Sequence, residues 1–570
     1  MITKISRFLF GLAIAVCLSQ VVLGATYVVT KVDDTADGTC DSDCSLREAV
    51  LAANGTADND TIIFTGFFNV PRTITLGGTD IIITNNGTLL INGPGADKLT
   101  VSGNNASRIF TNNTGSITTV SNLRATDGNG ISTVATGRAG AIYNNAGTLT
   151  LNNLIINANT TTNGGGLNNA GTASVMNLNN CYVFGNTATA SGGGIQNFST
   201  STLNINNSSI SGNVSGSNTV GGGGIQGNGT VNIVNSTIAN NTANTGSGGG
   251  IIFNGTVLNI TNSTFAGNTA TLNGGGIHKS TANPGNIRNT IISGNNGAAA
   301  SPDATGAFNS LGNNVIGNIG TSTGWIMSDL QNTNPLLSPI GFYGGIGLSY
   351  ALLSTSPALN AGQNCVTDLS CATNNPATAV TTDQRGASRS NVDIGAFEVS
   401  AAYRALLPTA TLNQAYSTVL SPNVGSFTFT NTGGSPPAGV SVNTVGVITS
   451  VNGTPFASGV FDFAVTISNG MNSAVVNYRL YVLPTTVSVG GRITRADGNG
   501  ASKVSVTLID SGGNQRRVLS SSFGYYRFDN LNVGATYQVV VNSKTYIFSP
   551  NSQFIIVNET LDNVGFTAQP

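Results

Sequence analysis

Between Gly140 and Asn296 the apolar and polar positions repeat one pattern about every 27 residues. Alternations such as Leu203-Asn204-Ile205, Val231-Asn232-Ile233 and Leu258-Asn259-Ile260 mark short strands with one buried face. A second aliphatic run closes each unit on asparagine, as in Ile155-Ile156-Asn157-Ala158-Asn159, Val183-Phe184-Gly185-Asn186, Ile210-Ser211-Gly212-Asn213 and Phe265-Ala266-Gly267-Asn268. Glycines then lead into a third aliphatic, as in Gly192-Gly193-Gly194-Ile195 and Gly248-Gly249-Gly250-Ile251. Helical spacing is absent, and the glycine and asparagine load penalises helix at nearly every turn. Three short strands per unit, recurring at this period, predict a solenoid. The expected fold is all-β: a right-handed parallel β-helix in which each coil pairs with its neighbours and adds roughly 4.8 Å.

The turn residues agree with that expectation. Asn207, Asn235, Asn262 and Asn289 hold matching places before the next strand, where stacked amides can form a ladder. Cys181 is in register with Ser208, Ser236 and Ser263, so it reads as a small buried ladder residue rather than a reactive thiol. The glycine runs do not cradle phosphate: no Lys-Ser/Thr follows them, and they recur in every coil as backbone turns.

Outside the regular coils the pattern loosens. Strands are predicted at 61–64, 73–76, 80–84 and 89–91, and further coils around Val315-Ile316 and Leu336-Leu337. Ahead of them, Lys4 and Arg7 precede an apolar run from Phe8 to Leu23, which predicts a secretion signal over residues 1–24, with an uncleaved anchor as the alternative. A strand over 27–30 follows, then Ser45 and Glu48 as a capping box for a helix whose apolar face is Leu46, Ala49, Val50 and Ala53. Such a helix is suited to cover the open edge of the first coil.

Composition narrows the function classes. Of 570 residues only 8% are charged and the formal net charge is −1, which argues against a nucleic-acid partner. No segment after the signal is long and apolar enough to span a membrane. Asp33, Asp34, Asp37, Asp41 and Asp43 form an acidic loop that suits Ca²⁺, or is a solvated turn; no other cofactor is expected. Cys40 with Cys44, and Cys365 with Cys371, form two local pairs consistent with disulfides in an oxidising compartment. Four cysteines allow three connectivities, and zinc is the alternative, although the only histidine, His278, lies far from both pairs in sequence.

Four stretches resemble known families. The run Cys40-Asp41-Ser42-Asp43-Cys44-Ser45-Leu46-Arg47-Glu48-Ala49 resembles the bacterial CSLREA module, which implies an exported protein with a β-helix behind it. Ser356-Pro357-Ala358-Leu359-Asn360-Ala361-Gly362, with Thr382-Asp383-Gln384-Arg385-Gly386 and Asp393-Ile394-Gly395-Ala396-Phe397-Glu398, resembles the choice-of-anchor Q terminal segment of bacterial β-helix proteins. That likeness implies that residues 350–400 close the helix. Leu407-Pro408-Thr409-Ala410-Thr411 and Ser435-Pro436-Pro437-Ala438-Gly439 resemble immunoglobulin-like domains of bacterial surface proteins. Val489-Gly490-Gly491-Arg492-Ile493-Thr494 and Phe523-Gly524-Tyr525-Tyr526-Arg527-Phe528 resemble the carboxypeptidase regulatory-like sandwich, which carries no peptidase activity. The organisation expected is a signal over 1–24, a cap over 25–60, the β-helix over 61–349, a terminal cap over 350–400, and two β-sandwiches over 401–485 and 486–570.

Parallel β-helices also serve polysaccharide lyases and glycoside hydrolases, so an enzyme is the rival reading. Those chemistries need paired carboxylates, or acidic residues holding Ca²⁺ beside a base. From Ala139 to Ala300 there is no Asp or Glu, and only Lys279 and Arg288 carry a charge besides His278, which reads as a surface or turn residue. An active site would have to lie at the irregular ends, Asp80 to Asp127 or Asp303 to Asp393. The cluster Asp383, Arg385, Arg389, Asp393 and Glu398 reads instead as a salt-bridged cap. The favoured expectation is a non-enzymatic secreted or cell-surface protein that binds an extracellular glycan or cell-surface ligand, with a structural spacer as the third reading.

Overall fold

The computed structural model describes residues 24–569 except 85–86, 217–220, 299–301, 451–454, 456 and 558; the stretch read as a secretion signal lies outside it up to residue 23. Each coil visits its sheets in one order. In the coil beginning at Thr148–Asn152 the chain passes to Ile155–Asn157, to the two-residue strand Thr160–Thr161, to Leu167–Ala170, and returns one level on at Val175–Asn179. Stacking gives a first sheet of 11 strands from Thr26–Val29 to Phe308–Ser310, and a second of 11 strands from Arg72–Thr75 to Leu330–Gln331. The third has 9 strands, from Ile81–Ile83 to Ala304–Thr305, and a narrow fourth has 5. The alternating apolar residues stack in register inside, Leu151 on Leu178, Ile205, Ile233, Ile260 and Ile287, all buried. This is a parallel β-solenoid of about 9 turns, at about 27 residues per turn.

Two backbone features set the cross-section. Asn122, Asn153, Asn180, Asn207, Asn235, Asn262, Asn289 and Asn313 all stand at φ between 47° and 60°, turning the chain from the first sheet into the second. Asparagine tolerates that region better than other residues with a Cβ. The middle glycine of each run lies where successive coils touch: a Cβ on Gly223 would meet Gly249 O and Thr242 C, both at 2.5 Å. Gly223→Ala is therefore expected to cost at least about 1–3 kcal/mol, as overpacking does. Chemical denaturation of the two chains checks this, and coincident curves would refute the close-approach argument.

Both ends of the core are covered. The helix Leu46–Asn54 carries the predicted capping box and buries Leu46, Ala49, Val50 and Ala53. Its last residue pairs with the edge strand Ile81–Ile83: Asn54 Nδ2 donates to Ile82 O at 2.8 Å and Asn54 Oδ1 accepts from Thr84 N at 2.8 Å. The edge is thus satisfied by side chain rather than left open. At the far end Trp325 stacks on Phe308, centroids 5.0 Å apart, and packs against the solenoid core.

Residues 338–398, which take in most of the segment 350–400 expected to close the helix, run back along the outside of the second sheet. Ile340 and Leu348 pack on Tyr182 and Ala239, Thr237 Oγ1 donates to Gln384 Oε1, Ala396 N donates to Thr264 Oγ1 at 3.1 Å, and Gly395 N donates to Asn289 O at 2.8 Å. The reason is packing: this sheet turns apolar Tyr182 and half-buried Phe184 outwards, and the strap covers them. Tyr343, Ala351, Leu353 and Phe397 of the strap then enter one core with Phe429, Phe463, Val465 and Tyr478 of the following strands. That region pairs strands Gly459–Ser468 and Ser473–Leu483 antiparallel, opposite a sheet of 3 strands. The last region, from residue 486, stacks sheets of 3 and 4 strands around a separate core.

Candidate functional site

The outer face of the first sheet is a column of amides. Asn177, Asn204, Asn232, Asn259, Asn286 and Asn309 occupy the outward position between the buried aliphatics of successive coils. Each Nδ2 from Asn204 onward donates to the Oδ1 of the residue one coil before at 2.8 Å, and Asn177 donates to Thr150 Oγ1 at 3.2 Å. Beside it Asn206 donates to Asn179 and Asn179 to Asn152, at 3.1 and 3.0 Å. An amide has two N–H donors and two carbonyl lone pairs, so a ladder that uses one of each leaves the other pair for a ligand.

The strap gives this face a wall. Arg288 Nη2 donates to Thr373 O at 2.9 Å and Nη1 to Asn374 O at 3.3 Å, while Val366, Val380 and Val392 pack with Val234. The Cys365–Cys371 disulfide closes the loop just ahead. Asn374 to Thr378 and the asparagine columns thus enclose a groove of about 570 Å³. No Asp, Glu, His, Lys, Arg, Cys or Tyr lines it. It offers hydrogen bonds in a row and no group that exchanges a proton near neutrality.

Most of the other candidate residues are engaged elsewhere, while Asp33 is exposed. Asp33, Asp34, Asp37, Asp41 and Asp43 are not gathered: Asp34 takes both prongs of Arg47 at 2.8 Å, Asp43 pairs with Lys31 at 2.9 Å, Asp37 accepts from Thr39 N and Asp41 from Asp43 N. Among the described residues no three His, Cys, Asp or Glu side chains converge as a metal site. Cys40 is joined to Cys44. Cys181 is a buried free thiol, pushed by burial up to about 12, whose backbone N–H takes a hydrogen bond's donor role to Ser208 Oγ at 3.0 Å. His278 faces Thr305 Oγ1 at 2.6 Å from the strand Ile277–Lys279, and burial lowers its pKa.

Carboxylates at the rod's ends have structural partners. Asp80 accepts from Thr111, Ser132 and the fully buried Arg108, which also donates to Val134 O, Ala135 O and Arg138 O. Asp303 ends a buried amide ladder, accepting from Asn295 and Asn318, and burial raises its pKa despite those donors. In the strap Asp383 pairs with Arg385 at 2.7 Å and Glu398 with Arg389 at 2.9 Å, and Asp393 accepts from Asn360 N and Val399 N. Burial, with the charge of Asp393 adding to it, pushes Glu398 up to about 7. Sequence reasoning saw the asparagines but missed the wall, since nothing local in 373–378 says it will dock beside a sheet about 90 residues earlier.

No protein family matches the chain, and no curated protein does. Solved structures with partial similarity include the Bacillus anthracis TIE protein, at 15% identity over 28% of this chain and 39% of that one, TM-score 0.16. The Streptococcal ancillary pilin is 13% identical over 23% and 49%, TM-score 0.14, and BcpA, the major pilin subunit of Bacillus cereus, 13% over 28% and 57%, TM-score 0.14. The chain spans only 39% to 57% of those proteins' length. Likeness at this level says nothing of what this chain binds. Among the described residues no helix is long and apolar enough to cross a membrane.

Proposed function

We propose that this chain is a non-enzymatic extracellular or cell-surface protein whose solenoid binds an extended, uncharged glycan along the asparagine groove. The observation that carries the reading is the unbroken outward column from Asn177 to Asn309, with spare donors and acceptors at every coil beside a fixed wall. A polymer with hydroxyls at regular intervals meets such a row with many equivalent bonds of about 0.5–1.5 kcal/mol each, so affinity accumulates with length. The absence of any proton-exchanging lining residue supports binding without turnover. Export is supported by the resemblance of the Cys40 to Ala49 run to the CSLREA module and by the basic and apolar start of the chain.

Asn204, Asn232 and Asn259 replaced together by threonine keep β-compatible outward residues but lose the amide row. The triple variant is expected to melt close to the parent and to bind neutral polysaccharides at least about tenfold more weakly, the loss of two or more hydrogen bonds. A panel of neutral polysaccharides, scored for retention and for new reducing ends together, is the check. Equal binding by the variant would refute the groove, and release of new ends would make the chain an enzyme.

A further inference from the structure

The last sandwich carries a site of a different chemistry. Its four-stranded sheet buries Val506, Leu508, Val539 and Val541 on one side. On the other, Ser505, Thr507 and Arg517 line a depression of about 640 Å³, rimmed by Lys503, Lys544 and Tyr546. That volume lies in the range of ligand pockets. Thr507 stands directly across the strand pair from Arg517, and Arg517 Nε donates to Ser505 Oγ at 2.5 Å, which ties this exposed guanidinium to the sheet. Lys503 is fixed from its backbone, at φ 58° with its N–H on Ser520 O at 3.0 Å.

No carboxylate lines the depression. Four of the five acidic residues of this region are occupied elsewhere, Asp497 beside Arg495, Asp529 and Asp562 on Arg527, and Asp510 as acceptor for the Asn514 amide, and the fifth, the exposed Glu559, does not line the depression. Among the described residues none of Lys503, Arg517 and Lys544 forms an ion pair. Three cations thus converge without a counter-charge in a chain with only 8% charged residues. Like charges held together repel, and a ligand bringing anions relieves that repulsion while gaining charge-assisted hydrogen bonds.

We propose that this depression binds the acidic groups of a sulfated or carboxylated polysaccharide. Hydroxyls of Ser505 and Thr507 beside the cations suit a ligand with both acid groups and alcohols, and Tyr546 offers a ring at the rim. A duplex nucleic acid needs a longer basic track than three residues on a chain of net charge −1. The site lies in a different region from the neutral-glycan groove and does not depend on it.

The test uses the full chain with dextran sulfate, polygalacturonate and unmodified dextran as probes. Binding to at least one acidic polymer, weakening as salt is added, is expected. The variant K503Q/R517Q/K544Q is expected to lose at least about tenfold in affinity for it, from three charge-assisted contacts. The double variant K503Q/K544Q alters only exposed rim residues, so its partial loss keeps the test sound if the triple variant folds poorly. An equal charge change at Arg72, Lys98 and Arg492 should leave binding intact. Dextran sulfate and polygalacturonate separate the sulfate from the carboxylate source. No binding to either acidic polymer, parental binding by the double variant, equal loss in the control triple, or duplex DNA bound as tightly as dextran sulfate would each overturn the proposal.

Discussion

Replacing Arg389 by methionine is expected to destabilise the strap by about 3–5 kcal/mol, the cost of breaking a buried ion pair from one side. The guanidinium is buried and fully used. It donates to Glu398 Oε2 at 2.9 Å and Asp393 O at 3.2 Å, to Asn235 Oδ1 at 3.0 Å and Gly395 O at 2.8 Å, and to Thr382 O at 3.3 Å. Methionine fills a similar length but leaves these acceptors without donors, and it removes the cation that favours ionised Glu398. Because Asn235 belongs to a solenoid turn, the same change cuts a tie between strap and rod. The solenoid's sheets are closed by their own neighbours, so they should persist while the strap and the region sharing its core loosen. Limited proteolysis with mass analysis tests this. Cleavage concentrated between residues 338 and 485 is expected, and a protease pattern like the parent's would sink the idea.

The solenoid was legible because its repeat is written in residue types with a single structural meaning. Alternating aliphatics give one buried face, asparagine marks the left-handed turn, and glycine marks the close approach of coils. The capping box at Ser45 and Glu48 was equally local. What was not legible depends on contacts distant in sequence. Four of the charges around Asp383 and Arg389 form two ion pairs, while Asp393 accepts from backbone N–H groups, and nothing in their spacing tells whether they sit on the end of the rod or its flank. That choice was made by Tyr182 and Phe184, which look like ordinary strand residues until their outward direction is known. The groove had the same divided origin: its floor is periodic and readable, its wall is an irregular loop held by Arg288 from another coil. The basic depression escaped notice because Lys503, Arg517 and Lys544 come from three separate segments.

The buried amide ladder makes the second large prediction. Asn159, Asn186, Asn213, Asn241, Asn268 and Asn295 are the closing asparagines of successive coils, and each Nδ2 donates to the next Oδ1 at 2.8 or 2.9 Å. Asn241 shows what an interior member does. Its Oδ1 accepts from both N–H groups of Asn213, and its Nδ2 donates to Ile210 O and Asn268 Oδ1, each at 2.9 Å. Aspartate here would keep the first pair and point a second oxygen at two acceptors. At Asp303, where the column stops, that second oxygen instead accepts from Asn318 N at 2.7 Å. Asn241→Asp is therefore expected to cost about 3 kcal/mol or more near neutral pH, from two lost bonds and a buried charge. Burial raises Asp303 even with its donors, so the folded-state pKa of an interior aspartate should be raised too. The sign follows: the variant is least impaired in acid, where the carboxyl is protonated in both states and can donate to Ile210 O. Stability relative to the parent then falls as pH rises above about 3.9, the unfolded value, until the folded carboxyl ionises. Urea unfolding of both chains from acid to neutral pH measures it. A penalty that stays constant, or shrinks, with rising pH would mean that the ladder does not need a donor at that position.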